Sequence, residues 1–307
     1  MTKKKVKKNF LDGLLVFFIV VSAVAIVYVL FVQEKYEKKK TGTVSSETKK
    51  QVNIQKPISS LDQKRGKQKT VVSKIEKTPL PKKQVAIIID DIGRDLKPLR
   101  ELMEIKSDIT FSVLPFLPHS REAVEMLHHG GKEILLHLPM EPLSYPDDKP
   151  GEGALFTDMN EKELLHQLDK NIEVIPYIAG VNNHMGSKFM MDKQKLQLVF
   201  SHLKRKGLFF IDSRTAANSE AIAAAKAVGL PMAERKIFID NNRDYNEIYK
   251  NLMSAANYNN GTSPLIIIGH PYPETIRALK DATKELRRKG ILIVPVSQIM
   301  KAKSDIS

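Results

Sequence analysis

The sequence predicts an α/β domain folded as a distorted (β/α) barrel of seven or eight parallel strands, preceded by a transmembrane helix and a disordered linker. Three observations predict it. Charge and apolar residues are segregated along the chain. From Gln84 onward, short apolar runs alternate with amphipathic helical stretches. Polar residues able to bind metal or move protons recur where those runs end. Strand–helix alternation at this spacing implies crossover connections and therefore a parallel sheet. An open, doubly wound sheet is the alternative arrangement of the same units.

Residues 1–9 are a basic segment containing Lys3, Lys4, Lys5, Lys7 and Lys8. Residues 10–32 are apolar apart from Asp12, Ser22 and a few small or aromatic residues, and about 20 apolar residues can cross a bilayer as a helix. The preceding lysines favour a cytoplasmic N-terminus, with the main domain in the periplasm or at the cell surface. Ala23-Val24-Ala25 offers a signal-peptidase site as an alternative, but the apolar run continues past it, as an uncleaved anchor requires. Residues 33–83, rich in Lys, Gln, Thr and Ser, hold too little apolar surface to offset the entropy of ordering and read as a disordered tether.

Residues 1–83 contain 20 Lys/Arg and 6 Asp/Glu, and so carry the whole net charge of +14, whereas residues 84–307 contain 29 of each sign. With no basic excess in the folded part, nucleic acid is not an expected partner. The absence of cysteine excludes disulfides, cysteine-based zinc sites and thiol nucleophiles.

The domain is assigned to residues 84–303. Its candidate strands are Val85–Ile89, Thr110–Leu114, Glu133–Leu138, Ile178–Val181, Leu208–Ile211, Lys236–Ile239, Leu265–Ile268 and Ile291–Val294, with helical patterns over 160–175, 192–206, 217–228 and 273–289. Active sites in such folds form at the C-terminal edge of the strands. The first run leads into Asp90-Asp91-Ile92-Gly93 and the third into His137-Leu138-Pro139-Met140-Glu141. The fourth leads into Asn182-Asn183-His184-Met185-Gly186-Ser187, the fifth into Asp212-Ser213-Arg214-Thr215, and the seventh into Gly269-His270-Pro271.

Taken singly, an aspartate after a strand is a turn or helix-cap residue. Two adjacent carboxylates behind five apolar residues repel each other unless a proton or cation lies between them. Two histidines with one carboxylate suit a divalent metal with open positions. Such a metal polarises a carbonyl and acidifies water, a second carboxylate takes the proton, and a further histidine protonates the leaving group. This chemistry fits hydrolysis of an amide or ester.

In order and spacing, these five motifs resemble the divergent polysaccharide deacetylase family over about residues 84–300, a branch of the carbohydrate esterase deacetylases. The resemblance implies a metal, zinc by expectation, held by one aspartate and two histidines. It implies Asp90 as base, Asp91 and His137 as ligands, and His270 as general acid. Glu141 stands where the larger family has its second histidine, so the third ligand is either His184, the preferred assignment, or Glu141. Arg214 is expected to orient the base or hold an oxyanion, with Asp212 counted beside it among the catalytic residues. Glu141, Asn183, Ser187 and Ser213 are expected around the ligands or against substrate.

The function implied is metal-dependent removal of acetyl groups from an N- or O-acetylated polysaccharide or cell-wall glycan outside the cytoplasm. A non-catalytic, envelope-anchored module that binds glycan or a protein partner is the rival reading. An acid/base glycosidase using Asp90 and Glu141 would leave the histidines without a role.

Overall fold

A computed structural model describes residues 83–258 and 265–304. The anticipated cytoplasmic segment, membrane anchor and linker lie outside these residues. Among the described residues no helix is long and apolar enough to cross a membrane.

Nine strands form one parallel sheet: β1 (Lys83–Ile92), β2 (Thr110–Val113), β3 (Ile134–Met140), β4 (Ile178–Met185), β5 (Phe209–Asp212), β6 (Met232–Glu234), β7 (Ile237–Phe238), β8 (Leu265–Gly269) and β9 (Ile291–Ile293). Their order is β6-β5-β4-β3-β2-β1-β8-β7, which is the circular order of an eight-stranded barrel cut between β6 and β7. The first β-residues of β1 pair with β9, while the middle of β1 pairs with β8 and its end with β2. The architecture is thus a curled parallel sheet consistent with a distorted barrel. Helices α1 (Leu96–Met103), α2 (Ser120–His129), α3 (Glu161–Val174), α4 (Lys193–Arg205), α5 (Ala221–Val228), α6 (Tyr245–Met253), α7 (Pro273–Arg288) and α8 (Val296–Ser304) complete it.

Alternation along the strands sorts side chains into two cores. Val85, Ile87 and Ile89 of β1 join the large cluster that includes helix residues such as Leu99, Leu127 and Leu279. Ala86 and Ile88 face the other way, with Leu135, Phe209, Ile211, Ile266 and Ile268, into the space the sheet curls around. Val296, Ile299 and Met300 of α8 fill that space from the end where the strands begin. The first N–H groups of α8 lack intrahelical partners and are met across this floor. Thr110 Oγ1 accepts from Val296 N at 3.1 Å and the Glu133 carboxylate from Ser297 N at 3.2 Å, while Thr110 also donates to Glu133 at 2.9 Å.

Three departures from the expected elements have simple causes. The strand β6 was not anticipated, because three residues behind Gly229-Leu230-Pro231 give no readable alternation. The strand β4 runs on through Asn182-Asn183-His184-Met185, which composition assigns to a loop, because β3 pairs with it as far as Met140–Met185. The helix expected from residue 217 begins at Ala221, since Ser219 turns back to bond Asp212.

Replacing Glu133 by Ala should lower stability by about 1–3 kcal/mol, as expected for stranding buried donors, and should release α8. Limited proteolysis would then trim the chain at α8 before the barrel is cut.

Candidate metal centre

The site begins with an irregularity in β1. Ile89 pairs with Phe111 and Ile92 with Val113, so three steps on β1 match two on β2. This extra residue is a β-bulge. Asp91 sits in it with φ of 58°, in the left-handed region that aspartate tolerates better than most residues. Regular alternation would send adjacent side chains to opposite faces. The bulge instead brings both Asp90 and Asp91 to the barrel mouth and returns Ile92 to the helix-facing core.

Asp91 Oδ1 lies 3.2 Å from His137 Nε2 and 3.1 Å from His184 Nδ1, and those two ring nitrogens are 3.2 Å apart. Asp91 Oδ1 is buried and lacks any properly directed hydrogen bond. One carboxylate oxygen and two imidazole nitrogens thus form a nearly equilateral triangle, the only such set among the described residues. Ligand atoms each about 2.0–2.2 Å from one divalent ion stand this far apart. The orphaned oxygen, donor types and spacing all fit a divalent metal such as zinc.

Asn182, buried beneath the triangle, fixes its geometry. Its Nδ2 donates to Asp90 Oδ1 at 2.9 Å and to Ser213 Oγ at 3.2 Å. Its Oδ1 faces His137 Nδ1 at 3.0 Å and accepts from the Ser112 hydroxyl. Because that oxygen can only accept, His137 carries a proton on Nδ1, and in the neutral ring Nε2 presents its lone pair to the triangle. Sequence reasoning named Asn183 and passed over Asn182.

Asp90 Oδ2 stands 3.7 Å from His137 Nε2, and His270 Nε2 lies 3.8 Å from Asp91 Oδ2. His270 is gripped by Asp240, whose carboxylate accepts from the His270 backbone N–H at 2.6 Å, faces Nδ1 at 3.1 Å and accepts from Thr275 Oγ1 at 2.8 Å. Asp240 was also missed, although it follows the apolar run ending at Ile239 and so carries the same strand-end signal as the other motifs.

Electrostatics separates the groups. Burial pushes the Asp90 carboxyl above its usual range, against the pull of His137, His270 and Asn182. Burial opposes ionisation of Asp91 too, but the His137 and His184 imidazoles hold it far below that range. Burial disfavours the charged forms of His137 and His270, yet neighbouring carboxylates raise both: chiefly Asp90 and Asp91 for His137, and Asp240 for His270.

Other candidates lie around this centre rather than in it. Glu141 Oε2 accepts from Thr157 N at 2.8 Å and Thr157 Oγ1 at 2.6 Å, and Oε1 pairs with Lys188 Nζ at 2.8 Å. Its carboxylate therefore pins the loop over 142–157 to the segment after β4. Asp212 turns away from the mouth to accept from Arg214 N at 2.7 Å and Ser219 Oγ at 2.7 Å. The Arg214 guanidinium pairs with Glu234 at 3.1 Å. Asn183 ties β4 to the segment after β5, accepting from Ser213 N at 2.8 Å and donating to Thr215 Oγ1 at 3.0 Å. Ser187 Oγ accepts from Leu143 N at 2.9 Å. A cavity of about 150 Å³ opens beside Asp91 and His184.

Residues 87–300 match the family described as divergent polysaccharide deacetylase. The chain belongs to that family. It is 33% identical over 231 residues to the uncharacterized protein YibQ of Escherichia coli K12, a match covering 75% of this chain and 72% of YibQ. It is 31% identical over 203 residues to an uncharacterized protein of Haemophilus influenzae, covering 66% of this chain and 72% of that relative. A crystal structure of an uncharacterized protein from Agrobacterium tumefaciens C58 superposes with a TM-score of 0.66 at 25% identity, over 71% of this chain and 89% of that one.

Two outcomes follow from the geometry. Asn182→Ala should weaken divalent-metal binding at the triangle by about 10–100-fold, the usual effect of removing a partner that orients a ligand, read by competition with a chromophoric chelator. A thermal shift without an affinity change would mark Asn182 as structural only. Glu141→Ala should leave metal uptake at the triangle as in wild type while costing about 1–3 kcal/mol in denaturant unfolding. Burial works against ionised Glu141, but Lys188 and Thr157 hold its carboxyl below the usual range. Its contribution is therefore present above the ordinary glutamate pKa and lost as pH falls through the lowered one, so wild type and variant should converge in strong acid.

Proposed function

We propose that this chain is a metal-dependent hydrolase that removes acetyl groups from an acetylated polysaccharide outside the cytoplasm, held to the membrane by residues 10–32. The observation that carries the reading is the convergence of Asp91, His137 and His184 donor atoms, 3.1–3.2 Å apart, with Asp90 and His270 beside them. Membership of the deacetylase family supports acetyl-bearing glycan as the substrate class. The apolar run behind a lysine cluster, followed by a polar tether, supports the location.

Asp91, His137 and His184 would hold the metal. A divalent ion there supplies a Lewis acid that polarises the acetyl carbonyl and lowers the pKa of water. Asp90 has one oxygen fixed by Asn182 and the other facing the triangle, so it receives the proton of the attacking water. Burial, by raising its pKa, makes it a stronger base than an ordinary aspartate. His270 has Nε2 3.8 Å from Asp91 Oδ2 and Nδ1 engaged by Asp240, and the raised pKa keeps a proton available for the departing amine or alcohol. The interior aliphatic residues below the site deny water access from the far end.

The test is acetate release by the full-length protein from N- and O-acetylated glycans. Chelation should abolish it and zinc should restore it. His137→Ala should fail to respond to zinc, and Asp90→Asn should retain bound zinc while losing about 10²–10⁴-fold in rate. Activity unaffected by chelation and by His137→Ala would rule out the metal mechanism. Glycan binding without turnover on any acetylated glycan would favour a non-catalytic envelope module.

A further inference from the structure

The cavity beside the metal triangle carries charges the proposed chemistry does not use. Its floor is Asp91 and His184, and its rim carries Arg94 and Lys149. Neither of these cationic side chains has a hydrogen-bond or ion-pair partner among the described residues. Glu152, also unpaired, is the one further charged group on the rim, which bears a net charge of +1; with Asp91 of the floor the protein lining is formally neutral. Leu114, Pro115 and Leu117 supply an apolar wall.

The backbone near each cation is fastened, while both side chains are exposed. Arg94 follows Gly93, whose φ of 124° and close approach to Ser120 leave no room for a Cβ: one built there would lie 2.8 Å from Ser120 Oγ. Ser120 Oγ in turn donates to Leu114 O at 2.6 Å and accepts from Leu117 N at 3.0 Å, so the Arg94 turn and the apolar wall are one packed unit. Lys149 lies in the 142–157 loop, whose later part is fastened by Thr157 donating to Glu141 at 2.8 Å and by Asn171 donating to Gly153 O at 2.8 Å.

We infer that this cavity is a subsite for a carboxylate on the sugar residue whose acetyl group reaches the metal triangle, or on its immediate neighbour. The inference rests on the deacetylase reading and deepens it by naming the substrate class as an acidic glycan. A volume of about 150 Å³ admits a substituent or a single ring, not a chain. The planar guanidinium fork of Arg94 matches a carboxylate, and Lys149 adds a second donor. With Glu152 and Asp91 already facing the two cations, a doubly charged phosphate is repelled more than a singly charged group. The apolar wall excludes part of the solvent that would otherwise screen the pair.

The test compares matched substrates on the full-length zinc-loaded protein: an N-acetylglucosamine disaccharide, the same disaccharide oxidised at one C6 to the uronic acid, and the same disaccharide carrying a 6-phosphate. The ratio of kcat/KM for the uronate over the neutral sugar should exceed about tenfold, equivalent to about 1.4 kcal/mol. The R94Q/K149Q double variant should bring that ratio close to unity. Equal turnover of the two sugars by wild type, a ratio untouched by the double variant, or an equal or larger gain with phosphate would each overturn the assignment. If no sugar is turned over, the deacetylase reading fails, and calorimetric titration with the uronate decides the subsite. Binding at least about tenfold weaker in the double variant supports it, and equal affinity or no binding to wild type overturns it.

Discussion

Adjacent side chains on a regular strand point to opposite faces, so two consecutive aspartates cannot both enter a barrel mouth. The inserted residue in β1 removes that restriction, and the site depends on it. Asp91 takes up the left-handed conformation, Asp90 keeps the interior direction set by Ala86 and Ile88, and Ile92 rejoins the outer core. Two carboxylates so placed repel each other, and the barrel answers with imidazoles from three other strand ends. Without the bulge, His137 and His184 would face one carboxylate instead of two.

The same crowding sets their different characters. Asp90 lies deepest, where loss of solvent dominates and its acidity falls, whereas Asp91 is compensated by two rings that hold it ionised. Asn182 stands between these environments. By satisfying one oxygen of Asp90 and one nitrogen of His137, it leaves one functional lone pair on each directed at the mouth. Asp240 does the corresponding work for His270. Each group facing the triangle is therefore oriented by a buried polar residue behind it, which is how a site of this kind avoids reorganising during reaction.

The support extends outward. Glu141 spends its carboxylate on Lys188 and Thr157, locking the loop that forms one side of the cavity. At the opposite end of the barrel, α8 closes the interior through contacts from Val296, Ile299 and Met300 and has its exposed N–H groups satisfied by Thr110 and Glu133. The interior is thus apolar and closed at one end and polar at the other.

Much of this was legible in the chain alone. Apolar runs long enough to be strands, separated by helical stretches, require parallel crossovers, and the C-terminal strand edge is where such sheets expose polar groups. Asp90, Asp91, His137, His184 and His270 could be collected by that rule, and it would have reached Asp240 had the sixth run been followed one residue further. Periodicity cannot report a bulge, because one inserted residue changes pairing and not composition. It cannot choose between His184 and Glu141 beside His137, because that depends on whether a carboxylate already has partners, and Lys188 and Thr157 come from distant segments. Nor can it separate Asn182 from Asn183, whose roles differ only in which face of β4 each occupies. Local pattern determined which residues stand at the mouth, and three-dimensional pairing alone decided which of them meet.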